Sequence, residues 1–263
     1  MSEENVAGGS REAFAAWVDG TPEGRLFGQV IIRPAKPFGY SLRHTDDARE
    51  AALRVSEDPR AAREIAKLTE GGDYRPLKSS PNLRRGWELR VADTLGLVAA
   101  MNYLYPAGVV HWYLNREGRL DLTSFRENAA RQSGIYKRVQ RLSDGGVQGA
   151  ALACCEDAVC LKKTLWDVDE DTRLEVDRGE GEIPCPEPCS IFVSFARQVR
   201  LFERENDVDG LSPSEREDLA ALVEAAATGE VGFAREAEFE KPLNERRMRY
   251  RRLTLVPKLR RNG

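Results

Sequence analysis

The sequence predicts an α+β protein, with a small N-terminal α+β unit followed by a larger, mostly helical domain. Two observations carry this prediction. A strand-like segment and a helix-like segment come early in the chain, and a polar stretch with glycine and proline follows them at residues 71–81 (GGDYRPLKSSP), as is typical of a linker. We therefore predict a flexible N-terminus (residues 1–20), a first domain (21–75) and a second domain with a basic C-terminal segment (76–263).

The first domain is predicted to contain one strand and one helix. Residues 27–33 (FGQVIIR) have the composition of a strand, which Pro34 and Pro37 would end. Residues 46–70 are expected to be helical, with an interruption near Pro59 because proline cannot donate the helix hydrogen bond.

The second domain opens with a predicted helix and a predicted hairpin. Residues 87–105 carry apolar side chains at helical spacing, and Pro106 closes this helix. Residues 109–122 have the composition of two short strands, joined by turn chemistry at 115–118.

Three further helices are predicted towards the C-terminus. Ser124 followed three residues later by Glu127 is the signature of a capping box, so a helix is expected to begin there, to weaken at Gly134 and to end by residues 144–146. An apolar stripe predicts a helix over 191–202. The last predicted elements are an amphipathic helix at 213–227 and a strand-like, basic segment at 251–256.

Composition excludes several functional classes. Charged residues make up 32% of the chain but leave a net charge of only -3, so the whole molecule is not a strongly basic nucleic-acid binder. The first eleven residues lack the basic and apolar regions of a secretion signal. The sequence contains no run of about 18 apolar residues, which is the length that a membrane-spanning helix needs. We expect a cytoplasmic protein without a membrane segment, for which nucleic acid is an unfavoured partner.

All five cysteines lie in one stretch, between Cys154 and Cys189. Clustered thiols in a reducing compartment usually ligate metal or do redox chemistry, whereas disulfide frameworks scatter their cysteines. Four residues separate Cys155 from Cys160, and three separate Cys185 from Cys189. Structural zinc sites most often have two residues between paired ligands, and wider, unequal spacings suit a cubane cluster better.

We therefore favour a 4Fe-4S cluster held by Cys155, Cys160, Cys185 and Cys189, with Cys154 as the alternative to Cys155. Structural zinc is the alternative metal. The prolines beside the second pair (PCPEPC, residues 184–189) would stiffen the ligand loop. A helix beginning near Ser190 would direct its partial positive charge towards the thiolates.

These cysteine groups, together with residues 75–87 (RPLKSSPNLRRGW), carry a family resemblance. Residues 74–205 resemble the 4Fe-4S domain attached to sirohydrochlorin cobaltochelatase-like proteins, and the preceding unit resembles the small stabilising domain that accompanies it. The resemblance implies an electron-transfer accessory to a cobaltochelatase in cobalamin and tetrapyrrole biosynthesis. The chelatase, another redox partner and a tetrapyrrole are the implied partners, and a cluster-dependent reductase acting on the ring is an alternative.

The chain departs from the chelatase itself. Its only two histidines, His44 and His111, do not form the His-Gly pattern of the chelatase domain. Each is expected to be a hydrogen-bonded structural histidine, because a lone histidine forms neither a metal site nor a triad.

Basic residues suggest two further hypotheses. Arg84 and Arg85 are predicted to receive the carboxylates of a tetrapyrrole, since guanidinium groups bind carboxylates bidentately. Alternatively, the helix beginning at Ser124 and the hairpin before it would form a DNA-binding winged helix of an iron–sulfur sensor. Four basic residues would then face phosphates: Arg131, Lys137, Arg138 and Arg141.

Overall fold

The computed structural model describes residues 3–35, 39–47, 52–66, 83–156, 160, 162, 164–177, 181–205, 211, 213–228, 250 and 253. The chain divides into two compact units. Unit 1 comprises Met1–Asp121, Leu161–Thr164 and Glu180–Pro186, and unit 2 comprises Leu122–Cys160, Leu165–Gly179 and Glu187–Gly263.

Unit 1 is built on a five-stranded sheet with the strand order β1-β2-β3-β5-β4. The strands are β1 (Arg25–Phe27), β2 (Val30–Pro34), β3 (Tyr40–His44), β4 (Arg54–Ser56) and β5 (Trp87–Val91). Neighbouring strands are antiparallel except β4, which runs parallel to β5. Alternate residues of β2 and β3, such as Ile32 and Leu42, are fully buried, so one face of the sheet carries the core.

Helices cover that apolar face. They are α1 (Glu3–Asp19), α2 (Ala62–Ile65), α3 (Thr94–Leu104) and α4 (Gly108–Arg116), with 3-10 turns at Thr45–Asp47 and Pro59–Ala61. Phe14 of α1 meets Phe27 edge-on at 5.1 Å and Trp112 of α4 at 5.3 Å between ring centroids. These contacts join α1 to β1 and to α4. Such aromatic pairs stabilise the packing beyond what the burial of their apolar surface contributes.

The N-terminal segment differs from its prediction. Residues 1–20 were expected to be flexible, but α1 occupies most of them, and Phe14 and Val18 are fully buried. The predicted strand at 27–33 is in fact a hairpin, because Gly28 adopts a φ of 61° that reverses the chain between β1 and β2.

Two helix predictions in unit 1 fail in part. Within 46–70, the described residues form 3-10 turns, β4 and only the short helix α2. Within 87–105, the first five residues form β5 and the helix begins only at Thr94, where the Asp93 carboxylate accepts the N–H of Gly96. Strand β5 prevails over the helical pattern because its neighbours β3 and β4 hydrogen-bond to it from both sides.

The hairpin predicted at 109–122 is wrong. Residues Gly108–Arg116 form α4, in which Val109 and Trp112 are buried three residues apart, on one helical face. A short apolar run fits both the strand period and the helix period, so tertiary contacts decide between them. This result also removes the wing on which the winged-helix hypothesis depended.

The predicted boundary at residue 75 lies outside the described residues, and β5, α3 and α4 after it belong to unit 1. The break falls between Asp121 and Leu122 because β5 pairs with two strands of the first sheet.

Unit 2 is helical in its described elements. These are α5 (Phe125–Arg131), a 3-10 helix (Gly134–Arg141), α6 (Asp144–Cys154), α7 (Ser190–Glu205) and α8 (Pro213–Thr228). The capping box of Ser124 and Glu127 is confirmed. Helix α5 ends at Arg131, before extended backbone at Gln132, and a separate 3-10 helix begins at Gly134. Residues 144–146 begin a helix instead of ending one, because the Ser143 hydroxyl caps the N–H of Gly146.

The predicted helices at 191–202 and 213–227 are confirmed as α7 and α8. The apolar stripe of α7 is buried, including Phe192, Phe195 and Val199. Phe192 packs with Trp166 at 4.4 Å and with Phe125 at 5.7 Å between ring centroids, forming the aromatic core beside the start of the helix. The strand predicted at 251–256 lies almost entirely outside the described residues. The α+β class is confirmed.

Candidate metal centre

The first two cysteines lie at the end of α6. Cys154 is the last residue of the helix, and Cys155 follows as its C-cap, donating its backbone N–H to the carbonyl of Ala151 at 2.7 Å. Both side chains are buried. The C-terminal end of a helix carries partial negative charge, so α6 itself does not favour thiolates there. Any stabilisation of those thiolates must come from a bound cation or from other donors.

Cys160 completes the first group. Its backbone N–H donates to the carbonyl of Glu156 at 3.0 Å. Its side chain is buried like those of Cys154 and Cys155.

Cys185 is buried and belongs to the segment Glu180–Pro186 of unit 1. This segment is anchored within unit 1, since Ile183 is fully buried in the hydrophobic core of that unit and Glu182 accepts the indole N–H of Trp112 at 2.9 Å. The chain leading into the second cysteine pair is therefore held by both apolar burial and a charge-assisted hydrogen bond.

Cys189 lies at the N-terminus of α7 and acts as its N-cap. Its carbonyl accepts the N–H of Val193 at 2.9 Å, and its Sγ accepts the N–H of Phe192 at 3.4 Å. The sulfur thus takes the place of the serine or aspartate oxygen that usually caps a helix. The hydrogen bond and the positive end of the helix would both complement the negative charge that a metal-bound sulfur carries.

Helix α5 holds the loop that precedes Cys189. The amide of Asn128, which is buried, donates to the carbonyl of Pro188 at 3.4 Å. Gln132 orients that amide by donating to its Oδ1 at 2.8 Å. One turn along the helix, Arg131 pairs with the carboxylate of Glu187 at 3.0 Å. Two neighbouring residues of the Pro-Glu-Pro sequence are thereby bound to one helix.

The structure brings the thiols into chemically suitable environments without forming a complete ligand set. In the described part of the chain, which includes all five cysteines, none is in a disulfide, and no three Cys, His, Asp or Glu side chains are close enough to hold a metal ion. Four of the thiols are buried, and Cys189 is half-buried beside an amide donor. A set of reduced thiols away from bulk water fits a thiolate-ligated cluster.

Family comparisons identify the type of centre. Residues 10–116 match the model of the DR2241 stabilising domain, and residues 117–198 match the model of a 4Fe-4S iron-sulfur cluster binding domain. The chain is an iron–sulfur protein. All five cysteines of this iron–sulfur protein lie inside the second match. The match supports an iron–sulfur cofactor and gives no support to zinc.

A solved structure resembles this chain in three dimensions. It is DR2241 from Deinococcus radiodurans, described as a multi-domain protein with structural similarity to chelatases and with two additional novel domains. The likeness has a TM-score of 0.60 and 27% sequence identity, and it covers 75% of this chain and 42% of that chain. This iron–sulfur protein therefore spans less than half of the length of DR2241. No curated protein matches it.

The predicted carboxylate-binding arginines lie in unit 1, just before β5. Arg85 pairs with Asp46 at 2.7 Å, and the two side chains are 57% and 50% exposed. Arg84 is exposed, while its backbone N–H and carbonyl bind Ile65 and the Trp87 indole. The structure thus gives Arg85 a carboxylate partner within the chain, which a tetrapyrrole carboxylate would have to displace.

His44 has the structural role that was predicted. It is buried at the end of β3, and its Nδ1 accepts the N–H of Asp46 at 3.1 Å. Burial lowers the pKa of His44, and the nearby carboxylates of Asp46 and Asp47 oppose this only in part. His111 lies half-buried in α4.

The sequence did not predict three contacts around the second cysteine pair, made by the amide of Asn128, the guanidinium of Arg131 and the N–H of Phe192. The first two are 60 and 56 positions from their partners in the chain, so no local pattern connects them. The third had a usable signal, because a cysteine directly before a predicted helix is in the N-cap position.

Proposed function

We propose that this chain is a 4Fe-4S redox protein whose ligands are Cys155, Cys160, Cys185 and Cys189, and that it transfers single electrons alongside a cobaltochelatase. The observation that carries the proposal is the presence of every cysteine of the chain inside the 4Fe-4S match. The N–H···S hydrogen bond at Cys189 supports it further.

The residues around the cysteines have separable roles. When bound, a 4Fe-4S cluster supplies one-electron oxidation and reduction. Cys189 would present a sulfur that the Phe192 amide already holds in place at the start of α7. Asn128 and Arg131 would keep the Pro-Glu-Pro loop in one conformation, which lowers the entropic cost of ligation. The aromatic core beside Phe192 would keep water away from that sulfur.

The chelatase context is supported by DR2241, which is described as similar to chelatases and as having additional domains. Our chain covers 42% of that protein and matches a stabilising domain and a cluster domain. A part of this kind would act beside a chelatase domain. The burial and hydrogen bonding of His44 agree with this accessory role, because the imidazole is committed to the fold and not to metal insertion.

Ligand substitution tests the cluster proposal. After anaerobic purification, the protein should show the broad visible absorption of an iron–sulfur cluster and contain about four iron and four sulfide per chain. Cys155→Ser, Cys160→Ser, Cys185→Ser and Cys189→Ser should each reduce iron to background. Cys154→Ser is the matched control and should retain the cluster. A reversed result for Cys154 and Cys155 would exchange them in the ligand set, and a colourless, zinc-loaded protein would refute the proposal.

Electron transfer needs a separate test. The reduced protein is mixed anaerobically with cobalt-loaded sirohydrochlorin, with metal-free sirohydrochlorin, or with either compound and a cobaltochelatase. We expect the cluster to be reoxidised only in the mixtures that contain cobalt. The visible absorption of the cluster measures this reoxidation. Reoxidation by the metal-free ring with turnover of the ring would favour a reductase. No reoxidation in any mixture would refute the electron-transfer role while leaving the cluster assignment intact.

A further inference from the structure

The 3-10 helix Gly134–Arg141 of unit 2 exposes an unusual combination of side chains. Its sequence (GIYKRVQR) has three basic residues and no acidic one, and every residue except Val139 is exposed. Ile135 is 56% exposed and Tyr136 is 37% exposed. Exposed apolar side chains on the same helix as three basic residues form a surface that favours association with a partner.

This helix is fixed in place and is not a loose loop. Its own residue Val139 is fully buried, and the Gln140 amide donates to the carbonyls of Ala129 and Ala130 at the end of α5. On the other side, the guanidinium of Arg197 in α7 lies over the Tyr136 ring at 5.5 Å. Arg197 thereby adds a fourth positive charge and orients the ring.

The basic side chains of the helix differ from several other arginines of unit 2. Arg126, Arg131 and Arg200 each have a carboxylate partner, as in the pair of Arg200 with Glu203 at 3.0 Å. Within the part of the chain that the structure describes, no carboxylate pairs with Lys137, Arg138 or Arg141. A local excess of positive charge on a chain with a net charge of -3 attracts an acidic surface at this place and repels it elsewhere.

We propose that Gly134–Arg141, together with Arg197, is the docking surface for a small acidic protein that exchanges electrons with this chain. The proposal rests on the proposed redox function. The helices that support the surface, α5 and α7, are the same ones that hold Pro188 and Cys189. A partner on this surface would thus contact the elements that fix the ligand loop. Transient redox complexes use small, charge-steered interfaces of this kind.

An acidic protein fits the surface better than nucleic acid does. Ile135 offers an exposed aliphatic contact on the same helix as the basic residues, and a phosphate backbone makes no favourable contact with such a side chain. Tyr136 and the arginines are residue types that carry most of the energy in protein interfaces. The few unpaired cations are also balanced by acidic charge elsewhere on the chain.

Charge reversal with a ferredoxin probe tests the proposal. A reduced, acidic plant-type ferredoxin is mixed with the oxidised full-length protein in a stopped-flow instrument, and the second-order rate constant is measured at about 0.01 M and about 1 M salt. Lys137→Glu/Arg138→Glu/Arg141→Glu should lower the rate constant at least about tenfold at low salt and little at high salt. The control Arg54→Glu/Arg60→Glu/Arg119→Glu makes the same change in charge on exposed residues of unit 1 and should change the rate less than about twofold.

Two measurements distinguish a failure of the docking surface from a failure of the cluster. The rate of reduction by dithionite should be equal in all variants, since dithionite does not need the surface. If no variant contains a cluster, calorimetry of ferredoxin binding to the same proteins still tests the surface. Ile135→Ser should weaken binding at both salt concentrations, because its contribution is apolar. Equal rates or affinities for the reversal variant and its control would overturn the proposal. Tighter binding of random-sequence duplex DNA than of ferredoxin, lost in the reversal variant, would overturn it in favour of nucleic acid.

Discussion

Replacing Glu88 by glutamine tests how the sheet of unit 1 is held together. Glu88 lies in β5, and its side chain is only 6% exposed. Its carboxylate accepts hydrogen bonds from Ser41 at 2.9 Å, from Arg43 at 2.9 Å and from Arg90 at 3.0 Å. Because Ser41 and Arg43 belong to β3, this one carboxylate connects the two strands at the centre of the sheet.

The pKa of Glu88 sets the contribution of its charge to the free energy of unfolding. The hydrogen bonds of Arg90, Ser41 and Arg43 outweigh the opposing effect of burial and lower the pKa of Glu88 from 4.5 to about 2. A difference of this size corresponds to about 3 kcal/mol of stability at neutral pH. Arg90 is half exposed, so solvent screens part of this contribution. We therefore expect Glu88→Gln to cost about 2 kcal/mol.

The sign of the pH dependence follows directly. The folded state has the lower pKa, so the stabilisation is complete above the unfolded value of 4.5 and is lost as the pH falls towards about 2. Urea unfolding of both proteins, followed by tryptophan fluorescence, should give a difference that falls by about half between pH 7 and about pH 3. Trp17, Trp87 and Trp112 make unit 1 the main source of this signal.

Glu117→Gln is the matched control, since Glu117 is exposed at the end of α4, and it should change stability by less than about 0.5 kcal/mol. A loss of stability in Glu88→Gln that is the same at both pH values would refute the reasoning. The cost would then come from altered packing or from the neutral hydrogen bonds and not from the charge of Glu88.

Three further predictions concern the candidate site. Asn128→Ala should leave the Pro188 carbonyl without its buried donor and speed cluster loss in air several-fold, whereas Gln132→Ala, which removes only the orienting contact, should have a smaller effect; equal rates of bleaching would contradict this. Cys189→Ala should destabilise α7 by about 1 kcal/mol even without metal, measured by the urea midpoint of the apoprotein, because the N-cap acceptor is removed. The double variant Arg84→Ala/Arg85→Ala should bind a carboxylated tetrapyrrole about tenfold more weakly in a fluorescence titration, and unchanged affinity would exclude both residues from the site.

Local sequence patterns predicted the structure correctly wherever a segment carries one dominant pattern. The capping box at Ser124, the apolar stripe of α7 and the clustering of the cysteines each depend on residues that are near in sequence. They failed where two periods compete. Residues 87–105 and 109–122 carry apolar runs that suit either a strand or a helix, and the neighbours in the sheet and core made the choice. The buried helix α1 escaped because its polar composition hides the few residues, such as Phe14, that reach the core.

The sequence by itself therefore predicted the type of cofactor, because ligation by thiols depends on residue type and on short spacings between cysteines. It did not predict the environment of the thiols. That Cys189 receives the N–H of Phe192 depends on where α7 begins, and that Pro188 is held by Asn128 depends on α5, far away in the chain. Such contacts exist only after packing has brought distant segments together, since a hydrogen bond requires an approach of about 3 Å that no sequence spacing guarantees.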